Sequence, residues 1–372
     1  MRPTLVLAVT LLAACDGPAP GDAGPGSMDG GPRDAGARDA AAPDGGAHDA
    51  GPDAAHDAGP APCVGPPGLY ADDECRVLAE GVRPYVPRFE LWSDGADKER
   101  FVYLPPGTRI DTSDPDRWGF PRGTRVYKTF SIGGVRLETR LLEKVGEGRG
   151  PDQWTMITYV WSADQRSVAE APALGERNVL GTSHDVPSRA ACVACHSIAQ
   201  DDVVNGFSAI QLAHDGPGVT LGRLKDEGLL TVPIDPDGAA VPGDATAQAA
   251  LGYLHANCGS CHGGPEPEHG LDLSLRVGAT DVASTPAWTT AVCACSVWTG
   301  STPTGEVVSL RIAPGHPELS VAVLRMSTRE PLDQMPPLAT EVVDEDGVRI
   351  LSEWIASLDE TANGCPHGCP WP

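Results

Sequence analysis

The sequence lacks any apolar run long enough to cross a bilayer as a helix. The run from Leu5 to Ala14 in "MRPTLVLAVTLLAAC" falls short of that length, and with Arg2 ahead of it reads as the core of an export signal. No later segment comes closer, so the folded part is expected to be soluble or tethered. Positive charge is scarce: 27 Lys and Arg stand against 51 Asp and Glu, a net −24. Such an acidic surface argues against nucleic acid as a partner and favours basic protein partners. Residues 16–62 lack nearly everything a core needs. They are Asp, Ala, Gly and Pro in loosely repeated "DAG" units, which bury too little to offset ordering entropy, and they read as a disordered acidic spacer. Methionine is scarce too. Met28 lies in that spacer, which leaves Met156, Met326 and Met335 in the folded part.

What is present is cysteine, eleven in all. The leader ends in "LAAC", which resembles a bacterial lipobox. In that pattern the Cys, here Cys15, becomes the lipidated first residue and holds the chain on a membrane surface. The expectation is an exported protein on the periplasmic or cell-surface side, lipid-anchored to a bacterial membrane. An even remainder of Cys63, Cys75, Cys293, Cys295, Cys365 and Cys369 then reads as disulfides. Cys63 and Cys75 flank a short loop and are expected to pair. Cys293 and Cys295 are too close to bridge each other and are expected to pair with Cys365 and Cys369.

The other four lie in two C-x-x-C-H units: "CVACH", Cys192 and Cys195 before His196, and "CGSCH", Cys258 and Cys261 before His262. Two C-x-x-C units could make one four-cysteine zinc site. Against that stand the His after each second Cys, the long spacing between units and the exported compartment, where C-x-x-C-H is the signature of covalent c-type haem. The spacing suits the chemistry. Residues i and i+3 share one face of a helical turn, so both thiols can reach the haem vinyl groups, and the next residue offers its imidazole to the iron. Two covalent haems c are expected, with His196 and His262 as proximal iron ligands.

A Met often completes such a haem and raises its potential. Met335 lies in "LDQMPPLATEV", downstream of the second motif and ahead of "DEDGVRILSEWIASL", whose apolar spacing suits an amphipathic helix. Motif, Met-Pro loop, then C-terminal helix is the order of class I cytochromes c, so Met335 is assigned to the haem on Cys258 and Cys261. Met326 reads as packing. For the first haem His214 and His184 are candidates, a remote Met or an open position being the alternatives. His255 is expected to meet a haem carboxylate or solvent rather than iron.

The expected fold class is α+β and multidomain: a mainly β N-terminal domain followed by a mainly α, cytochrome c-like dihaem region. The divisions are 1–15 signal peptide, 16–62 spacer, 63–186 β domain, 187–250 first haem unit and 251–372 second haem unit. Within the β domain, "TRVYKTFSIGGVRLETRLLE" reads as a hairpin turning at Gly133-Gly134, and "QWTMITYVWS" as a strand with Trp154, Met156, Thr158 and Val160 on one face. Trp92, Asp94 and Asp97 in "ELWSDGADKER" read as a capped turn.

From "PYVPRFELWSDGADKERFVYLPPG" through "PSRAACVACH", "HANCGSCHG", "PGHPELS", "RMSTREPLDQMPP" and "ILSEWI", nearly everything after the spacer resembles a family of exported bacterial dihaem c-type cytochromes with a repeated C-x-x-C-H motif. The resemblance implies two covalent haems c and electron transfer, carried here by Cys192, Cys195, His196, Cys258, Cys261, His262 and Met335. It supplies no substrate. An electron carrier between redox partner proteins is therefore favoured. The alternative is a haem enzyme, peroxidase-like or an oxidoreductase subunit, using an open distal site on the first haem.

Overall fold

The computed structural model describes residues 61–196, 201–202, 204–265, 267–359 and 365. The export signal, Cys15, Met28, Cys369 and all but two residues of the spacer lie outside the described residues. The fold is mixed α+β, with eight strands in two antiparallel sheets and seven α-helices among the described residues.

Six strands form a meander in chain order: β1 Val82–Pro84, β2 Asp97–Tyr103, β3 Arg125–Ile132, β4 Val135–Lys144, β5 Trp154–Trp161 and β6 Val168–Glu170. The β3–β4 turn falls where it was expected. Gly133 and Gly134 both take positive φ, 57° and 80°, as a tight two-residue hairpin needs. β2 ends at Tyr103, ahead of Pro105.

Strand alternation gives the sheet two different faces. On one, Phe101, Tyr127 and Leu141 form a small cluster with Leu69 and Val82. The segment that packs there carries the Cys63–Cys75 disulfide, and Tyr127 donates to the Pro67 carbonyl at 2.8 Å. On the other, Val102, Val126 and Leu142 enter the largest core of the molecule, joined by Leu212, Leu224, Leu254, Leu351 and Trp354 from the helical part. Residues on both sides of positions 186 and 250 thus share one core.

The helices are α1 Arg189–His196, α2 Ala209–Leu212, α3 Leu221–Asp226, α4 Ala245–Asn257, α5 Pro286–Ala291, α6 Val321–Met326 and α7 Glu345–Ser357. α3 buries Leu221 and Leu224 and ends at Asp226, with Gly228 turning the chain at φ 67°. α7 is the expected amphipathic helix, capped by the Asp344 carboxylate, which accepts from the Gly347 N–H at 3.0 Å. It packs on α4, and a Cβ on Gly347 would lie 2.3 Å from the Tyr253 ring. Met326 is buried in the core, as read from the sequence. Residues 271–275, "LDLSL", are irregular. Val307–Leu310 is β8, paired with β7 Cys295–Ser301, which the sequence did not reveal. Cys293 bonds to Cys365, and Cys295 is also in a disulfide.

Candidate functional site

The first motif occupies α1. Ser188 starts the helix, its hydroxyl accepting from the Ala191 N–H at 3.2 Å. α1 faces β5 across a pocket of about 50 Å³, lined by Arg140, Met156 and Thr158 from the sheet and by Cys192, Cys195 and His196 from the helix. No residue of α1 is buried, and Val193 is 44% exposed. An eight-residue helix is too short to persist alone, and this one has no buried face to hold it.

The second motif is a helical turn directly after α4. The Cys258 carbonyl accepts from the N–H of Cys261 at 3.0 Å and of His262 at 2.7 Å. Two glycines let this turn close. A Cβ on Gly259 would lie 2.7 Å from the His255 carbonyl, and one on Gly263 would lie 2.4 Å from that of Gly259. The His262 ring has a buried Nδ1 with no hydrogen-bond partner among the described residues. Burial holds the proton affinity of this ring below the usual value.

The two motifs meet. The Cys195 and Cys261 thiols are close enough to interact, which raises the proton affinity of Cys195 and lowers that of Cys261. Burial raises Cys192, and pushes Cys258 up to about 12. All four motif thiols are free, while Cys63, Cys75, Cys293, Cys295 and Cys365 are in disulfides. Among the described residues no three His, Cys, Asp or Glu side chains form a group able to hold a metal ion.

The Met335 loop runs beside both motifs. Met335 is half-buried, and its N–H donates to the Arg325 carbonyl at 2.9 Å at the end of α6. The Arg325 side chain sits 5.3 Å from the centre of the Trp298 ring on β7, and its charge opposes protonation of His262. Farther along the same loop, Ala339 lines the α1 pocket. The segment read as a capped turn does more than cap itself. The Asp94 carboxylate accepts from the N–H groups of Glu341 and Val342 at 3.0 Å, and Trp92 Nε1 donates to the Val342 carbonyl at 3.1 Å. The Trp92 N–H also donates to Asn257, the residue ahead of Cys258, at 2.7 Å. Residues 92–94 thus tie the Met335 loop to the second motif.

His214 is held by backbone at both ring nitrogens: Nε2 lies 2.7 Å from the Val86 carbonyl, and Nδ1 accepts from the Gly216 N–H at 2.9 Å. His184 is buried, with Nε2 2.8 Å from Glu138. His255 accepts from the Leu275 N–H at Nδ1, 3.1 Å away, and lines a cavity of about 330 Å³ together with Trp118, Phe207, Gln211 and Arg276.

Sequence reasoning missed a row of cations beside the first motif. Arg100, Lys128 and Arg140 are paired across β2, β3 and β4 on the face toward α1. Like charges set directly opposite repel. Glu138 answers Arg140 at 2.5 Å and Glu90 lies 3.4 Å from Arg100, but Lys128 makes no ion pair among the described residues. Its ammonium is held well below the usual lysine range, first by burial and then by these neighbours. The alternation "YKTF" followed by "LETR" was the available signal.

Comparison with family models, with curated proteins and with solved structures returned no match to this chain. Among the described residues no helix is long and apolar enough to cross a membrane.

Proposed function

We propose that this chain is a dihaem c-type cytochrome that carries electrons between redox partner proteins outside the cytoplasmic membrane, tethered there by a lipid on Cys15. The observation that carries the reading is the pairing of two C-x-x-C-H units, each with both thiols free in a chain whose other described cysteines are disulfide-bonded.

The surroundings support it. Cys192 with Cys195, and Cys258 with Cys261, would hold the two haems by thioether bonds, with His196 and His262 on the irons. α1 has the length of a motif helix and lacks the burial that would keep it folded by itself. The His262 ring makes no hydrogen bond at its buried Nδ1 among the described residues, so that nitrogen is not committed to another group of the protein. Arg140, paired with Glu138, has its charge close to Cys192 and Cys195, where a haem carboxylate could also meet it. Met335, whose N–H is bonded to Arg325, a residue whose charge reaches His262, is the thioether for the second iron. Haem c supplies a one-electron couple at its iron. The protein sets that couple through axial ligands, burial and nearby charge. The cytochrome c-like, multidomain character of residues 187–372 belongs to this proposal.

The test is to produce the full chain with c-type maturation machinery and count haem per chain. Visible spectra are then taken oxidised and reduced. Two covalent haems, both low-spin, are expected. A chain with no haem overturns the reading, and one high-spin, CO-binding haem moves it toward the enzyme alternative.

A further inference from the structure

We propose that Met156, on β5, is the distal iron ligand of the haem attached at Cys192 and Cys195. The inference rests on the dihaem reading above and adds what completes its first centre.

The position of Met156 comes from strand alternation. It pairs with Leu142 of β4, while its neighbour Thr158 pairs with Arg140, so these side chains belong to the sheet face that enters the main core and meets α1. That is the face whose charge reaches the first motif, since Arg140 is held near both Cys192 and Cys195. Met156 is only partly buried and lines the same small pocket as Cys192, Cys195 and His196. His196 enters that pocket from the helix wall and Met156 from the sheet wall. A planar ring held by Cys192 and Cys195 between those walls takes one axial ligand from each.

The pocket of about 50 Å³ is small beside the roughly 300–1,000 Å³ of sites for small molecules, so α1 must move off the sheet to admit the ring. No residue of α1 is fully buried. Its ties to the rest of the chain include the exposed ion pair of Arg189 with Glu170, the Arg189 N–H donated to the Ala173 carbonyl at 3.0 Å, and the contact of Cys195 with Cys261, which attachment of a ring at Cys195 would replace.

Competing ligands are engaged elsewhere. His214 has both ring nitrogens on backbone groups. His184 is fixed on Glu138 and packed against the Phe130 ring. Met326 is in the core on α6, and Met335 follows the second motif. The composition of β5 points the same way. Trp, Thr, Ile, Tyr and Val fill "WTMITYVW", all strand formers, and the one flexible unbranched side chain is the thioether. A gap-filling Met in a core also fits that description, and the experiment separates the two.

The full chain is made with c-type maturation machinery as wild type, Met156→Leu and Met335→Leu. Haem is counted, CO binding is measured, and NMR of the reduced protein counts the methionine methyl signals shifted far upfield by a haem ring current. Two such signals are expected in the wild type. Met156→Leu should keep two haems per chain, lose one of the two signals and convert one haem to a CO-binding state, and Met335→Leu should lose the other. Leu conserves volume, so a merely structural Met156 would leave both signals and the spectrum unchanged, which overturns the proposal. If Met156→Leu does not fold, the wild type still decides, since a single upfield methyl lost in Met335→Leu overturns it. Wild type with two haems and one signal refutes this ligand alone, whereas wild type without haem refutes the dihaem reading and this inference together.

Discussion

The Cys195 thiol, at the end of the first motif, interacts with Cys261 of the second across 65 residues of intervening sequence. The two units are therefore neighbours, and cofactors attached to them would form a short relay.

That contact makes the haem-free chain vulnerable. Cys261 is exposed, and its thiolate is favoured by the interaction with Cys195. Treating haem-free protein with oxidised glutathione should link Cys195 to Cys261 ahead of any other pair of motif thiols, with two glutathione thiols released per bond. Peptide mapping by mass spectrometry checks this. A predominant Cys192–Cys195 or Cys258–Cys261 product would contradict the contact.

Met335 is expected to set the potential of the second centre. Met335→Leu should lower one of the two midpoint potentials by on the order of 0.1 V, inside the ≈ 0.8 V range that axial ligands span, and leave the other in place. Asp94→Ala should act more weakly on the same centre. It removes the acceptor of the Glu341 and Val342 N–H groups that anchors the loop, at a cost of about 1–3 kcal/mol. Redox titration and thermal melts of the two variants give the comparison.

Asp202, six residues beyond the first motif, is an anchor of the opposite kind. It lies 2.5 Å from Lys144 Nζ, with both side chains fully buried, and it also accepts from Trp154 Nε1 and from the N–H groups of Gly150 and Phe120. Asp202→Ala strands the lysine charge and should cost about 3–5 kcal/mol in denaturant unfolding. The double variant Lys144→Met, Asp202→Leu should recover only part of that loss: it removes the uncompensated charge but leaves the buried N–H groups of Trp154, Gly150 and Phe120 without their acceptor.

His255 predicts an acid-sensitive fold. Burial, helped by the Arg276 charge, lowers it from 6.5 to about 4. The unfolded chain then binds the extra proton between those values, so stability is fully present above about pH 6.5 and falls as the pH drops toward 4. The slope integrates to on the order of 3 kcal/mol. His255→Gln should flatten this limb of the stability–pH curve, and denaturant titrations at pH 7, 5.5 and 4.5 measure it. An unchanged slope would mean that His255 is solvated in the folded protein.

Much of the chemistry was legible in sequence because it is local. C-x-x-C-H places two thiols and an imidazole on one helical turn whatever the rest of the chain does, and Gly133-Gly134 turns a hairpin by its own backbone preferences. Amphipathic spacing located α7, and the short Cys63–Cys75 loop left those two residues to pair. Only the tertiary structure decided what these pieces face. A two-residue turn alone would pair Lys128 with Thr139, but the register shift after Phe130 moves the pairing by one residue. Because side chains alternate every residue along a strand, that shift sets Arg140 rather than Thr139 beside Lys128 and carries it to the face that meets α1. The meeting of Cys195 with Cys261, the hold of Asp94 on a loop some 247 residues away, and the place of Met156 opposite His196 are likewise long-range packing outcomes. No local pattern encodes them, since each depends on two distant segments burying their apolar faces against a common core.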